Sequence, residues 1–423
     1  MSNFSKNIFI FLLSQLVCCT IFAQHQLGMR LEKNAGINSI AINPANILSS
    51  NAKWEFHLIG GGLFFENDYF FLRNTSANRL IRQRSDIQLV FDQRSDAPNI
   101  FEIDFGRGNQ NRFLSTNGYL AGPAVAYKLQ EDKSIAIFSQ IRSIAGSNKI
   151  PGDYSYYHIT NRPFNQAFPI DQYKIGLLNW LEVGVNYAQS FELGEKPVDV
   201  GISVKYLNGY DMVSIQSKTR YDHAVINTND FSMTGTNFEY AYSPIQSMFS
   251  QVRGRGASVD IGMSYTLPSN DKKGYQWKIG ASITDIGWLK FNNIRSLGFQ
   301  SDSTLTVIGS DFNNVDFDNG LDEVTDRFIQ NVLNNSPRLI RGVSKSVFTP
   351  STLFLQADYR WNKSIYVNGL YAQSIQFLGA GPVNGSMLAI TPRLEDKWYS
   401  ISLPISLYQW QKVRVGLAAR LGY

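Results

Sequence analysis

The sequence has almost no cysteine. Among its 423 residues, only Cys18 and Cys19 are cysteines, and both lie in residues 1–23, which have the pattern of a secretory signal peptide. Lys6 supplies the positive start, a short apolar segment follows, and Ala23 is the small residue before the expected cut. The mature chain is therefore expected to have no disulfide and no thiol chemistry, although it enters an oxidising compartment.

Long hydrophobic runs and a strong charge surplus are also missing. After the predicted cleavage between Ala23 and Gln24, no stretch approaches the roughly 20 apolar residues of a membrane-spanning helix. The formal net charge is +5, and Lys6 of the signal peptide contributes one of these charges. So small a surplus over so long a chain predicts no nucleic-acid partner.

Catalytic and metal-binding patterns are absent from the sequence. The four histidines, at positions 25, 57, 158 and 223, have no ligand spacing. There is no Gly-x-Ser-x-Gly nucleophile motif and no phosphate-binding loop. We therefore predict no catalytic residue, no cofactor and no metal site. One enzymatic alternative stays open, a barrel hydrolase with His57 or His158 as its base.

What the mature chain does contain is period-two alternation. In Ala257–Thr266, for example, Val259, Ile261 and Met263 alternate with Ser258, Asp260, Gly262 and Ser264. Such runs are about 9–11 residues long, the length of a tilted strand that crosses a bilayer, whereas soluble strands average about 5–6. Aromatic residues gather near the run ends, as interfacial girdles require: Trp54, Tyr206, Tyr265, Trp277, Tyr359, Trp361, Trp398 and Trp410.

These patterns predict an all-β fold, a transmembrane antiparallel β-barrel over residues 53–423. Only closed barrels allow strands to span lipid, because every backbone group must be paired internally. Counting runs gives 12 to 16 strands, with 14 as the central expectation. The barrel is expected in the outer membrane, surrounded by lipid, with short turns in the periplasm and long segments outside. A soluble secreted β-protein remains the alternative.

Charged residues on the non-apolar faces are the candidate site residues. Asp199, Lys205, Asp260 and Lys278 lie opposite the apolar rows and are predicted to point into the lumen, where they pair or line a wet interior. If this assignment of faces is right, Ile261→Arg should be costly and Asp260→Asn should cost little.

Three features are expected from the second half of the chain. The strand beginning at Trp277 is predicted to end at Asp285-Ile286-Gly287. The polar segment Trp288–Pro350 is then the largest interruption, with a short amphipathic helix at Leu321–Leu333. Tyr210–Arg255 is a second long polar segment, expected to form an extended hairpin beyond the membrane.

The order of motifs resembles a known family. An Asn-Pro-Ala turn at Asn43–Ala45 precedes the strands, GASVDIGMSYTL and WKIGASITDIGWLKF follow later, and the chain closes on SISLPISLYQWQKVRVGLAARLGY. This order is similar to that of the outer-membrane barrels of Bacteroidota grouped as the domain of unknown function DUF 5723. More distantly it resembles FadL-like transport barrels and the PorV-type barrels of the type IX secretion system.

The resemblance implies a fold and two competing roles. Residues 24–52 would fold into the lumen as a hatch, with Asn43, Pro44 and Ala45 at the entry to the first strand. A FadL-like barrel would conduct or bind a small, apolar solute. A PorV-type barrel would instead bind partner proteins of a secretion or cell-surface assembly, and the two long polar segments suit that role.

The last hairpin, Trp398–Tyr423, has one apolar face and ends on an aromatic residue. An aromatic C-terminus on a last strand resembles the signal that the barrel-assembly machinery reads. Tyr423 is therefore the expected assembly signal, and that machinery is an expected partner during biogenesis.

Overall fold

A computed structural model describes most of the chain. The described residues are 27–32, 35–73, 75–76, 88–91, 100–106, 111–152, 164–193, 196–227, 229–244, 249–269, 274–312, 321–334, 340–375, 381–396 and 398–421. The predicted signal peptide, His25, His158 and Tyr423 lie outside them.

The described residues are mainly strands. The strands are β1 Trp54–His57, β2 Gly60–Asn67, β3 Phe70–Arg73, β4 Gln88–Phe91, β5 Ile100–Phe105, β6 Arg112–Ala121, β7 Ala124–Gln130, β8 Lys133–Ile150, β9 Ala167–Ile170, β10 Tyr173–Leu193, β11 Lys196–Ser217, β12 Tyr221–Val225, β13 Phe231–Thr234, β14 Thr236–Tyr242, β15 Gly254–Pro268, β16 Tyr275–Ser301, β17 Leu305–Val307, β18 Ile340–Phe348, β19 Thr352–Arg360, β20 Ile365–Ser374, β21 Met387–Glu395, β22 Tyr399–Ser402, β23 Ile405–Tyr408, β24 Lys412–Val415 and β25 Ala418–Leu421. Two α-helices, Leu27–Arg30 and Leu321–Asn331, and the 3-10 helices Gly36–Ala41, Pro44–Ser49 and Gly309–Phe312 complete them.

Eighteen of these strands form one antiparallel sheet, which we call the wall. Some wall strands consist of two segments. The break is two or three residues long between β1 and β2, β6 and β7, β18 and β19, β22 and β23, and β24 and β25, and eleven residues long between β14 and β15. Counted this way, the described residues form twelve consecutive wall strands, each paired with its neighbour in the chain. The all-β antiparallel fold is as predicted. The expected count of 12 to 16 strands, with 14 as its central value, stays a prediction.

The two ends of the wall differ. At the end we call the short-turn end, the turns are brief, as between β7 and β8 or β10 and β11. At the opposite end, the long-loop end, the chain between wall strands carries β3 to β5, β9, β12, β13, β17 and the helix Leu321–Asn331. Because β1 begins and β25 ends at the short-turn end, both termini of the wall lie there.

The wall curves around residues 27–50, which we call the N-terminal segment. The Ile37 amide donates to Glu55 of the first wall strand at 2.8 Å, and Asn186 of the fourth donates to the Pro44 carbonyl at 3.2 Å. Arg420 of the last wall strand contacts Glu32 at 2.7 Å. The first and last wall strands also meet directly, since Lys412 donates to the Asn67 carbonyl at 3.1 Å.

The two faces of the wall are the reverse of those of a soluble sheet. The outer face exposes large apolar side chains, among them Val183, Val185, Val200, Ile202, Val204, Ile261, Met263, Ile279, Ile401, Leu403 and Ile405. The inner face buries polar ones, among them Asn186, Ser203, Lys205, Ser258, Asp260, Ser282, Gln356, Asn368, Ser400 and Ser402. An apolar exterior around a polar interior is the pattern of a strand barrel in lipid.

The predicted end of β16 is wrong. This strand continues through Asp285-Ile286-Gly287 to Ser301 and pairs with both β15 and β18. The pairing shifts register between Val259 and Ile261, and Asp285 has a φ of 60°. An extra residue in one strand is a β-bulge, which leaves the sheet continuous. The interruption that was expected from Trp288 therefore begins only after Ser301.

The long-loop end carries its own small core. Strands β9, β12, β13 and β17 form a separate four-stranded sheet, and the helix Leu321–Asn331 packs with it around buried Tyr221, Met233, Val307 and Ile329. We call this unit the outer layer. The helix confirms the amphipathic prediction for Leu321–Leu333. The helices in the described residues are all too short or too polar to cross a membrane.

A pH effect is expected in this region. Glu239 of β14 lies beyond the exposed apolar row of β11, which ends near Tyr206, and pairs with Lys218 at 2.6 Å and with Lys345. Partial burial raises the pKa of Glu239, but the hydrogen bonds from the two lysines outweigh it and lower the pKa to about 2. A lowered folded pKa stabilises the structure above the unfolded value of about 4.3, and that stability is lost as pH falls toward 2.

We therefore expect β14 to lose hydrogen-exchange protection between about pH 4.3 and pH 2, after correction for the intrinsic exchange rate at each pH. Glu239→Gln should be less protected at neutral pH and should show little further loss in that window. An equally steep loss in Glu239→Gln would assign the effect to other carboxylates.

Candidate functional site

The N-terminal segment is held by its Asn-Pro-Ala turn. The Asn43 side chain accepts a hydrogen bond from the Ala45 amide at 3.0 Å and caps the 3-10 helix Pro44–Ser49. The Asn43 side-chain nitrogen donates a hydrogen bond to the Met263 carbonyl of β15 at 2.9 Å. One side chain thus shapes the turn and ties it to the wall.

Three wall glycines make room for this turn. A Cβ atom at Gly201 would lie 2.4 Å from the Ala45 nitrogen, and one at Gly262 would lie 2.2 Å from the Asn43 side-chain oxygen. A Cβ at Gly280 would lie 2.9 Å from the side-chain nitrogen of Asn43. Because real Cβ atoms do not approach other atoms so closely, only glycine lets the backbones of β11, β15 and β16 come this near.

Further side chains anchor the two ends of the segment. Ser400 donates to Glu32, and the Ser402 hydroxyl donates to the Gly28 carbonyl at 3.1 Å. Near its C-terminal end, Lys278 of β16 contacts Ser49, and the Asn46 and Gln356 amides exchange hydrogen bonds at 3.1 and 3.4 Å. The segment therefore occupies the short-turn half of the space that the wall surrounds.

A buried ion network lies beside the segment on the inner face. Lys205 of β11 bridges two carboxylates, Asp260 at 2.7 Å and Asp285 at 2.6 Å. The Asp285 amide also donates to Asp260 at 2.7 Å, so the bulge itself brings the two carboxylates together. The Asp285 carbonyl accepts from Thr349 and Ser351 at 2.6 and 2.8 Å.

Arg142 of β8 extends the network to a third carboxylate. It binds both oxygens of Asp285 at 2.8 Å and lies 3.5 Å from Glu182. Glu182 also accepts hydrogen bonds from Gln140 and, at 2.9 Å, from the Trp180 indole. The network thus contains three carboxylates and two cations, which leaves one negative charge in excess.

A loop folds inward from the long-loop end. Gly381–Ser386, between β20 and β21, is buried throughout, and we call it the inward loop. A Cβ at Gly176 of β10 would lie 2.7 Å from the Pro382 nitrogen, and one at Gly385 would lie 1.9 Å from the Tyr408 hydroxyl oxygen. The loop therefore crosses the interior between the fourth and eleventh wall strands.

A cavity of about 470 Å³ lies between these features. The N-terminal segment contributes Ile37 and Ile40, the ion network contributes Arg142 and Asp285, and the inward loop contributes Asn384. Of the 27 lining residues, 15 are polar or charged, and the apolar side chains lie mainly on the N-terminal segment and the first three wall strands.

The cavity extends to two neighbouring breaks in the wall. Its lining includes Ile59, in the break between β1 and β2, and Gly122, in the break between β6 and β7. Ile59 is 72% exposed on the apolar outer face. The His57 ring lies 3.4 Å from the Gly122 carbonyl. Residues beside both breaks in the wall therefore line the cavity.

The structure places the predicted inner-face residues in different surroundings. It brings Lys205 and Asp260 together, whereas Asp199 lies half-buried and accepts a hydrogen bond from Ser264 at 3.3 Å. Lys278 contacts the N-terminal segment at Ser49. The roles of these four residues in a lumen remain a proposal.

Sequence reasoning missed Arg142, Glu182, Asp285 and Asn384. The Asp-Ile-Gly motif that contains Asp285 predicts a strand end, so the sequence alone does not place its carboxylate inside the wall. The two cations that bind the Asp285 carboxylate, Lys205 and Arg142, lie 80 and 143 positions away in the chain, and no local sequence pattern predicts them. No group of three or more His, Cys, Asp or Glu side chains in the described residues is arranged to hold a metal ion.

Solved structures with a similar arrangement have low identity to this chain. The toluene transporter TodX of Pseudomonas putida is 8% identical, with a TM-score of 0.33 over 84% of this chain and 74% of its own. The CymD monoaromatic hydrocarbon channel is 10% identical, with a TM-score of 0.37 over 96% and 98%. The ferric yersiniabactin uptake receptor FyuA of Yersinia pestis is 9% identical, with a TM-score of 0.27 over 84% and 42%.

A search of curated proteins finds no match. A family model does match, over residues 44–423. This range starts inside the Asn-Pro-Ala turn and includes every wall strand, the inward loop and the outer layer. The chain belongs to the family of unknown function DUF5723.

Proposed function

We propose that the protein is a non-enzymatic outer-membrane β-barrel that conducts a small, largely apolar solute. Membrane insertion is supported by the apolar outer face and the polar inner face. Aromatic pairs on the outer face near the short-turn end add to it, with Trp54 and Tyr127 ring centroids 4.3 Å apart and Trp277 and Tyr359 4.5 Å apart. Such aromatics anchor a barrel at the membrane interface.

The observation that carries the solute role is the cavity. It lies between the wall, the N-terminal segment and the inward loop, and in our proposal it opens sideways between Ile59 and Gly122, which line it. An opening on the apolar outer face would lead into the hydrocarbon of the bilayer. An apolar solute dissolves there, whereas water does not. The route we propose runs from the long-loop end into the cavity and out through the wall.

In our proposal the N-terminal segment closes the short-turn end and acts as a hatch. Its contacts with Glu55, Gln356 and Arg420 reach wall strands on several sides. A solute that leaves through the short-turn end requires these contacts to break, whereas a solute that leaves sideways does not. The two exits can therefore be separated by holding the hatch in place.

Locking the hatch to the wall tests the route. Since the predicted mature chain has no cysteine, Asn46→Cys with Gln356→Cys gives a unique thiol pair at two side chains that hydrogen-bond each other. We expect the cross-linked protein to keep its uptake of naphthalene by intact cells, because the sideways exit stays open. The measurement is the initial uptake rate with and without a short dithiol cross-linker and after reduction.

Each single cysteine variant is the control for side effects of the reagent. Uptake that falls to the level of cells without the protein after cross-linking, and returns on reduction, would place the exit at the short-turn end instead. Equal uptake with and without the protein in the membrane would contradict the conduit itself.

The outer layer favours a second role, as a partner barrel in a secretion or cell-surface assembly. Its four-stranded sheet and helix form a folded unit with its own core at the long-loop end, which a simple conduit does not need. Co-purification of the protein from outer membranes, with the outer layer intact or truncated, would identify a bound protein. A partner retained only with the outer layer would support this role.

A further inference from the structure

The first and last wall strands differ from the others in their backbone pairing. Ten of the twelve wall strands pair with a neighbour on both sides. The first, β1 with β2, pairs only with the second, and the last, β24 with β25, pairs only with the eleventh. Within the residues that the structure describes, no ladder joins the first wall strand to the last. We call the line between these two strands the seam.

Apolar side chains beside the seam are more exposed than those elsewhere on the outer face. Phe56 of the first wall strand is 73% exposed and Val413 of the last is 68% exposed, whereas Val185, on a strand with two neighbours, is 45% exposed. In a paired strand, the side chains of the neighbouring strands cover part of each residue. The excess exposure therefore agrees with a missing neighbour on the seam side of both strands.

Side chains connect the two strands near the long-loop end of the seam. Arg414 pairs with buried Glu66. Lys412 lies 3.6 Å from Glu66 and donates to the Asn67 carbonyl at 3.1 Å. On the inner face, the rings of Phe64 and Tyr408 are 5.0 Å apart and link the first wall strand to the eleventh. Side-chain contacts here take the place of ladder hydrogen bonds.

The N-terminal segment connects the two strands near the short-turn end. Its Glu32 accepts a hydrogen bond from Arg420 of the last wall strand at 2.7 Å. Its Ile37 amide donates to Glu55 of the first wall strand at 2.8 Å. The segment therefore bridges the inner side of the seam. We call this bridge and the Glu66 contacts the two clasps.

The two edges have one register in which they match. If Glu66 stays opposite Arg414, antiparallel pairing places Phe65 opposite Val415, and both belong to the outward-facing rows of their strands. A slip by one residue would place outward-facing residues opposite inward-facing ones. Hydrocarbon offers no hydrogen-bond partner to a strand edge, so in lipid the two edges gain by pairing with each other.

We propose that the seam is a lateral gate in the wall. The gate is open in this structure, with the clasps holding its two strands close, and it shuts when the edges pair with Glu66 opposite Arg414. Separating any other two wall strands requires a ladder to break, so the seam is where the wall parts. Buried Leu27, Phe64 and Phe113 lie in the apolar cluster behind it, so the gate connects the bilayer with an apolar part of the interior. The inference goes beyond the proposed function and does not depend on the solute.

Disulfide trapping in lipid vesicles tests the gate, since the predicted mature chain has no cysteine. Phe65→Cys with Val415→Cys places two thiols opposite each other only when the gate is shut. Val185→Cys with Val204→Cys is the control, because these two residues are paired in the ladder of β10 and β11. With copper phenanthroline as the oxidant, the seam pair should form its disulfide completely but about tenfold more slowly than the control pair, as a minor shut state requires.

Glu66→Gln tests the clasp. Without the Glu66 charge the two edges are held together less firmly, so the seam pair should form its disulfide about fivefold more slowly still, the effect of about one hydrogen bond. The control pair in the same Glu66→Gln background should keep its rate. Glu131→Gln removes an exposed carboxylate that pairs with Lys128, away from the seam, and should change neither rate.

Two outcomes contradict the gate itself. A seam pair that reacts as fast as the control pair would mean that the ladder is permanently closed, and a seam pair that never reacts would mean that the edges do not meet. The clasp is overturned if Glu66→Gln leaves the seam rate unchanged, or if it slows the seam and control pairs by the same factor. Naphthalene uptake is measured without these cysteines, so the gate and the conduit succeed or fail separately.

Discussion

Asp285→Asn is expected to lower the free energy of unfolding by about 3 kcal/mol, at the lower end of the range for breaking a buried ion pair. Asp285 binds Arg142 through both carboxylate oxygens and Lys205 through one. An asparagine of the same shape removes the charge and leaves two buried cations with fewer partners. The loss is not larger because Lys205 keeps Asp260, and Arg142 keeps Glu182 at 3.5 Å.

Asparagine is the informative substitution at this bulge. The backbone at Asp285 has a φ of 60°, a region that asparagine and aspartate tolerate better than most residues. Asp285→Ala would add backbone strain to the loss of charge, and the two effects could not be separated. Asp285→Asn isolates the charge.

The effect can be measured by urea unfolding of protein refolded into lipid vesicles, followed by tryptophan fluorescence. Glu131→Gln is the matched control, because Glu131 also pairs with a lysine, at 3.8 Å, but its side chain is 98% exposed. That control should cost less than about 1 kcal/mol. If Asp285→Asn costs no more than Glu131→Gln, the network does not stabilise the fold.

A double variant tests the origin of the loss. Lys205→Met removes one cation, so Asp285→Asn together with Lys205→Met restores the balance of charges in the network. The double variant should lose less stability than the sum of the two single variants, because interacting residues are not additive. Strict additivity would show that Asp285 acts through its bulge geometry and not through Lys205.

The same ion network shows how much of the site the local sequence pattern can predict. Alternation predicted which face of each strand is apolar, and Lys205 and Asp260 do lie buried opposite exposed Ile202 and Ile261. The prediction that Asp260→Asn costs little needs revision, because Asp260 accepts from Lys205 and from the Asp285 amide. Period-two alternation predicts the face of the sheet on which a side chain lies. The residues that it contacts there belong to strands far away in the chain.

The bulge could not be predicted for a related reason. The Asp and Gly of Asp-Ile-Gly favour turns, so the sequence of this strand by itself predicts that the strand ends there. Only pairing with β15 and the Asp285 contacts to Thr349 and Ser351 show that the strand continues. Asn384 is similar, since its burial follows from how the inward loop crosses the interior.

Ile261→Arg is expected to lower the free energy of unfolding in lipid by about 2–4 kcal/mol, if Ile261 meets the middle of the bilayer. Ile261 is 50% exposed at the centre of β15 on the apolar outer face. In hydrocarbon an arginine there has neither water nor a carboxylate beside it. A soluble sheet would present the same position to water, where the guanidinium costs almost nothing.

Ile308→Arg makes this a test of environment and not of residue type. Ile308 follows β17 at the long-loop end and is 44% exposed, so the two isoleucines are almost equally accessible. As a surface substitution in water, Ile308→Arg should change stability by less than about 0.5 kcal/mol. Unfolding of both variants from the same vesicles compares them directly. A large cost only at Ile261 requires that the outer face of β15 is in contact with lipid. Equal small costs would mean that water surrounds the wall, and the conduit proposal would then lose the membrane on which its sideways exit depends.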